Sequence, residues 1–333
     1  MRSAGASTVA GAPFTVSATV SRVGVAGREG TAPSYVRSGD TVPVGIEKVG
    51  VVGFGAMGSG IAQVCATAGF DVLVRDVEQR FLDRGSERVA ASLARVVKAG
   101  KLDEEQAKAV RGRIRGTLAL GDFRDRDLVI EAVVEELDAK RAVFGELDAV
   151  CGPATIFASN TSSLTIVEMA ATTKRPDRFA GLHFFNPPVM MPLVEIVRAI
   201  TTNEATTLAL RAFVKRLGHT GVVCTDSTGF IVNRLLVPYM NSAVRMLEQG
   251  IASAEEIDQA VKLGLRYPMG PLELLDLVGA DVHQHVANVF FEEFKDPNMA
   301  PPSLLRRMVL AGHLGVKTGK GIYEYDEKGK RKA

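Results

Sequence analysis

Residues Ile46 to Asp76 read IEKVGVVGFGAMGSGIAQVCATAGFDVLVRD. Val49, Val51 and Val52 form a short β-branched run of the kind that fills a strand buried on both faces. Beyond the glycines, Ile61, Val64 and Cys65 recur at helical spacing and put apolar groups on one face, so Cys65 reads as a core residue. The segment therefore predicts strand, tight turn, helix and second strand, a βαβ opening.

Outward from this unit the alternation continues. Phe81 to Lys98 keeps a helical period with Phe81, Val89, Leu93 and Val97 available for packing, and LDEEQAKAVRGRI, from Leu102, predicts a second helix. DLVIEAVVE (Asp127 to Glu135) reads as another buried strand, followed by a helix running through Lys140 to Val150. TIFASNTSSL (Thr155 to Leu164) is a strand entering a Ser/Thr/Asn turn. Strands alternating with helices imply an α/β fold built on a doubly wound, Rossmann-type sheet. After Asp226 the pattern changes to long helical stretches such as GFIVNRLLVPYMNSAVRMLEQG. A boundary near Thr225 to Gly229 gives a sheet domain over 46–226 and an all-helical C-terminal domain over 227–333. Residues 1–45 are rich in Ala, Gly, Ser, Thr and Val, hold no carboxylate before Glu29, and read as a disordered leader or an over-called start. Arg2, Arg22, Arg28 and Arg37 give it a faint transit-peptide character without an amphipathic helix.

The 333 residues suffice for two domains. An apolar content of 46% and a net charge of +2 describe a globular protein without the basic excess of a nucleic-acid or membrane-surface binder. Cys65, Cys151 and Cys224 form no C-x-x-C pair, so neither a disulfide framework nor a metal site is expected, and a reducing cytoplasm fits. No apolar run approaches the roughly 20 residues that span a bilayer.

Gly53-Phe54-Gly55-Ala56-Met57-Gly58 is a G-x-G-x-x-G placed between a predicted strand and a predicted helix. In that context the glycines permit a tight turn, close approach of backbone to a pyrophosphate and tight helix packing, with the helix N-terminus facing the phosphates. Gly53, Gly55, Met57 and Gly58 are thus candidate dinucleotide contacts. Asp76 ends the next strand at the spacing of a carboxylate that binds a ribose 2′-hydroxyl and repels the 2′-phosphate of NADP, although an Asp can also simply cap a strand end. NAD is the expected cofactor, with Arg75 a group that softens the preference.

A second set of motifs comprises SNTSS, HFFNP with LVE, GFIVNR, YPMGPLELLDLVG and the closing KTGKGIY. Together with the glycine loop and LVIEAVVE they resemble the 3-hydroxyacyl-CoA dehydrogenase family from Ile46 to Tyr325, and within it the bacterial 3-hydroxybutyryl-CoA type. The resemblance implies a Rossmann domain, a helical domain that forms a homodimer, and a His–Glu pair acting on a short-chain acyl-CoA substrate. His183 matches the catalytic histidine and Glu195 its partner; Ser162 and Asn233 match the polar residues that bind the substrate oxygen. These types suit the chemistry: imidazole takes the hydroxyl proton, a carboxylate fixes its tautomer, and the two polar groups stabilise charge on oxygen. Glu135, Lys140 and Lys317 match positions near the cofactor, Lys140 reading equally well as a solvated helix lysine. Ser92, Arg95 and Lys98 fall where the family receives the nucleotide end of CoA, or else form a solvated helix face. Two departures flank the site: Thr228 replaces a frequent proline before GF, and Pro192 a frequent polar residue before LVE. The competing readings are another β-hydroxyacid dehydrogenase, which uses a lysine where Asn233 stands, and a non-catalytic cofactor-binding homologue.

Overall fold

The computed structural model describes residues 45–332, so the expected leader lies outside the described residues up to position 44. The opening unit folds as β1 (Lys48–Val52), α1 (Ala56–Thr67) and β2 (Asp71–Arg75), with Val49 of β1 opposite Val72 of the parallel β2. Next come α2 (Gln79–Lys98), α3 (Glu104–Gly112) and β3 (Ile114–Thr117), which joins the outer edge of β2. On the other side of β1 lie β4 (Leu128–Glu131), then β5 (Ile156–Ser159) after α4 (Leu137–Val150), then β6 (Phe179–Phe184) after the short α5 (Ile166–Ala170). A hairpin turns the chain into β7 (Leu193–Arg198), antiparallel to β6, and α6 (Glu204–Arg216) returns it to β8 (Thr220–Thr225), parallel to β7.

The sheet order is β3-β2-β1-β4-β5-β6-β7-β8. Because the chain leaves β1 for β2 on one side and reaches β4 on the other, the order reverses beside β1, which opens a crevice above the C-terminal strand ends. Two apolar layers cover the sheet. One joins Ile61, Cys65, Leu93 and Phe213; the other is built on Phe144, Phe157 and Phe179, whose rings meet at 4.5–6.4 Å. Cys65 is buried in the core as expected, and all three cysteines are free thiols. After β8 the chain is helical: α7 (Val232–Glu248), α8 (Ala254–Gly264), α9 (Pro271–Val278), α10 (Ala280–Phe294) and α11 (Ser303–Leu310), packed around Met240, Val244, Leu272, Leu275 and Leu305. Among the described residues no helix is long and apolar enough to cross a membrane.

The expected helix from Leu102 to Ile114 is only partly a helix. A capping box at Asp103 and Gln106 starts α3, Arg113 ends it, and Ile114 instead pairs with Val72 as the first residue of β3. Edge pairing and the Arg115–Asp71 ion pair at 3.2 Å decide the matter, and four residues are too few for a period of two to declare itself.

Candidate active site

Gly53 leaves β1 with φ +92°, a conformation that favours glycine, and a Cβ there would crowd the Ala132 carbonyl. A Cβ at Gly58 would collide with the Gly53 carbonyl oxygen, so α1 begins as near β1 as backbone allows. At Gly55 the added atom would meet nothing within 4 Å, which leaves the face of the loop open for a ligand. Met57 lies half-buried in the first turn of α1, and that turn carries no acidic residue, so the positive end of the helix is available to phosphate. These features fit a dinucleotide pyrophosphate.

Asp76 does more than end a strand. Its Oδ2 accepts the Phe54 N–H at 2.8 Å and its Oδ1 accepts the Val77 N–H at 2.7 Å. The carboxylate therefore latches β2 to the glycine loop, and each oxygen keeps a further lone pair for a ribose hydroxyl.

A buried polar network joins the ends of β4 and β5. Glu131 is fully buried; Oε1 accepts from Val133 N–H and from Lys140 Nζ, each at 2.7 Å, and Oε2 accepts from the Ser159 hydroxyl at 2.6 Å. Lys140 also reaches Glu135 Oε2 at 3.1 Å. The reading of Lys140 as a solvated lysine is overturned, since the residue is 1% exposed and held between two carboxylates. Glu135 in turn accepts from the Thr161 hydroxyl at 2.5 Å and the Ser162 N–H at 3.0 Å, and so fixes the SNTSS turn. Burial pushes the Glu135 pKa upward, but the Lys140 charge and these donors outweigh it and hold the group below the usual carboxylate range.

His183 and Glu195 stand directly opposite each other across the antiparallel β6–β7 pair. Their side chains meet at 2.7 Å, Nδ1 to Oε2, and both are buried. The other oxygen of Glu195 accepts the N–H groups of Ile231 and Val232 at 3.0 and 2.9 Å. One carboxylate thus orients the imidazole and anchors the start of α7, where Asn233 occupies the first turn. Phe185 and Phe230 flank the imidazole, with ring centroids at 4.5 and 5.6 Å. Phe230 has φ +51°, a conformation uncommon outside glycine, within the turn between β8 and α7. Asn160 accepts the Phe184 N–H at 2.9 Å, which ties the turn bearing Ser162 to the strand bearing His183.

The other expected site residues lie apart from this constellation. Ser92, Arg95 and Lys98 occupy the C-terminal half of α2, with both cations exposed. Lys317 is paired with Asp281 at 2.5 and 2.7 Å in the helical region. A cavity of about 290 Å³ lined in part by Arg124, Arg126, Thr155 and Arg178 contains none of the expected site residues. Among the described residues no cluster suits a metal ion. Glu131, Ser159 and Asn160 were not singled out as site residues although they fall inside LVIEAVVE and SNTSS; apart from that membership their signal is polarity at the end of an apolar strand, which a turn explains equally well.

A family model described as "3-hydroxyacyl-CoA dehydrogenase, NAD binding domain" matches residues 48–227, and one described as "3-hydroxyacyl-CoA dehydrogenase, C-terminal domain" matches residues 229–325. The chain is 50% identical over 282 residues to the 3-hydroxybutyryl-CoA dehydrogenase of Mycobacterium tuberculosis strain H37Rv, covering 84% of this chain and 99% of that relative. A probable 3-hydroxybutyryl-CoA dehydrogenase of Bacillus subtilis is 44% identical over 283 residues, 85% of this chain and 99% of the relative. The crystal structure of (S)-3-hydroxybutyryl-CoA dehydrogenase from Ralstonia eutropha superposes with a TM-score of 0.82 at 44% identity, covering 85% of this chain and 100% of that one.

Proposed function

The chain belongs to the 3-hydroxyacyl-CoA dehydrogenase family, and on that premise we propose that it interconverts short-chain 3-hydroxyacyl-CoA and 3-oxoacyl-CoA thioesters with His183 and Glu195 as its acid/base pair. It is an NAD-dependent oxidoreductase. Gly53, Gly55, Met57 and Gly58 would hold the pyrophosphate and Asp76 the adenosine ribose. Held there, NAD would supply the hydride acceptor for the third carbon of the substrate, and NADH the donor for the reverse direction.

The protein supplies proton transfer and orientation. With Nδ1–H donated to Glu195, the imidazole presents unprotonated Nε2, which takes the hydroxyl proton as the carbonyl forms and returns it on reduction. The Glu195 carboxylate then stabilises the imidazolium. Ser162 and Asn233 donate to the substrate oxygen and stabilise the charge that builds there. The observation that carries this reading is the shared Glu195, whose two oxygens bind His183 and the start of the helix bearing Asn233.

Lys140 serves the cofactor through Glu135, since its own ammonium is enclosed. Glu135 itself and, once released from Asp281, Lys317 complete the cofactor side. Like charge at Asp76 disfavours NADP. The acyl-CoA nucleotide lies along Ser92, Arg95 and Lys98 of α2. Exposed Leu235, Leu263 and Leu277 on the C-terminal helices, with Leu265 just past the end of α8, offer the apolar surface a homodimer would cover. Three unpaired thiols suit the cytoplasm. The test is NADH oxidation with acetoacetyl-CoA beside free acetoacetate: rapid turnover with the thioester and little with the acid is expected. Equal kcat/KM for the two would remove CoA from the assignment, and no turnover with either would remove the reaction.

A further inference from the structure

Phe54, the residue between the first two glycines of the loop, is held from three directions. Asp76 takes its N–H at 2.8 Å, and its ring is buried against α2 where Gly85 leaves room, since a Cβ on Gly85 would collide with that ring. One helical turn further along α2, on the same face, Arg88 reaches the Phe54 carbonyl oxygen with Nη1 at 3.5 Å. Among the described residues Arg88 forms no salt bridge, whereas Arg80 at the start of α2 is paired with Glu78 at 2.8 Å. An arginine carries five N–H donors, and this single long contact leaves the fork free for more.

The contact has a directional consequence. In a trans peptide the carbonyl and the following N–H point opposite ways, so a donor that draws the Phe54 carbonyl toward α2 turns the Gly55 N–H away from it. Gly55 is the position where an added Cβ meets nothing within 4 Å. We propose that Arg88 is a cofactor-binding residue: it sets the Phe54–Gly55 peptide so that Gly55 N–H faces the NAD pyrophosphate, and it places an unpaired positive charge beside that dianion. The proposal rests on NAD being bound at the glycine loop and adds to it a charge from a helix outside the fingerprint. Motif reading does not reach the residue because it follows Gly58 by most of α1, the whole of β2 and half of α2.

The test is the dissociation constant of NADH, read by its fluorescence across a series of ionic strengths, for wild type, Arg88→Gln and Arg88→Lys. Substitution at this exposed helical position leaves the fold intact, which a thermal melt checks. Loss of one charge-assisted contact predicts weakening by about tenfold in Arg88→Gln, a flatter salt dependence, and recovery of most of the affinity and of the wild-type salt slope in Arg88→Lys. Unchanged affinity in Arg88→Gln overturns the proposal, as does a loss shared equally by both variants with the salt slope of wild type, which marks a loop-packing role alone. Failure of wild type to bind NADH would instead strike the cofactor reading beneath it.

Discussion

Glu195 lies on β7 facing β6 and Asp276 inside the helical bundle, and both are buried carboxylates with three donors each. Asp276 accepts the Ile322 and Tyr323 N–H groups at 2.9 and 2.8 Å and the Tyr325 hydroxyl at 3.0 Å. Asp258 beside it accepts Leu272 N–H, Glu273 N–H and the Tyr323 hydroxyl at 2.8–2.9 Å. Burial raises the Asp276 pKa and the donors pull against it, while burial and the adjacent carboxylates push both phenols well above their usual range. Every partner in this cluster keeps its proton through the neutral range, and the cluster fastens the C-terminal segment to α8 and α9. Glu195 also has two fixed N–H partners, but the third is an imidazole whose Nε2 has no hydrogen-bond partner among the described residues. Burial and full satisfaction are common to the two regions. What separates them is a partner that can change protonation.

The comparison breaks most visibly at His183. His183→Ala should lower kcat with acetoacetyl-CoA by about 10³–10⁴ while NADH affinity holds, because proton transfer is lost and the glycine loop is untouched, and the buried Glu195 oxygen it strands should lower the melting temperature. Steady-state kinetics, an NADH titration and a thermal melt check it, and near-normal kcat would make Glu195 as structural as Asp276. Glu195→Gln comes next. If the amide oxygen keeps the Ile231 and Val232 N–H groups, the amide nitrogen faces Nδ1 and imposes the opposite tautomer, and kcat should fall by about 10²–10³. A fully active variant would show the charge and the tautomer to be unimportant.

The helical region should respond the other way. Asp276→Ala strands three buried donors and should cost about 4 kcal/mol in urea unfolding, with kcat measured well below the transition unchanged. A lost kcat without lost stability would reverse the two assignments. The smallest effect is expected at His283, buried in α10 with Nε2 at 2.9 Å from Asn241 Oδ1, where burial pushes the pKa down to about 4. As pH falls the unfolded chain takes a proton near 6.5 and the folded chain only near 4, so its contribution is complete above about 6.5 and is lost progressively down to about 4. The total is roughly 3 kcal/mol at most. His283→Gln should flatten the acid limb of the stability profile, and an unchanged limb would assign it to other groups.

The same contrast explains what could be read in advance. The glycine loop and Asp76 are legible because their chemistry is set by spacing within one βαβ unit. His183 and Glu195 stand out through motif resemblance, and the hairpin between them makes their pairing local. The bonds from Glu195 to Ile231 and Val232 span 36 and 37 residues, and no period in the sequence encodes them. Lys140 shows the limit most clearly. On a helix of mixed polarity a lysine reads as solvent-facing, and only the fold reveals Glu131 and Glu135 around it. β3 escaped for a related reason: an edge strand of four residues owes its form to β2 more than to its own side chains.

The central claim is that Glu195 holds the His183 proton on Nδ1 and leaves Nε2 free to act. Nitrogen-15 NMR of protein labelled at its five histidines measures this directly, the His183 signals being those that vanish in His183→Ala. The neutral ring is expected to carry its proton on Nδ1 and to leave Nε2 bare. A proton on Nε2 with Nδ1 bare would contradict it.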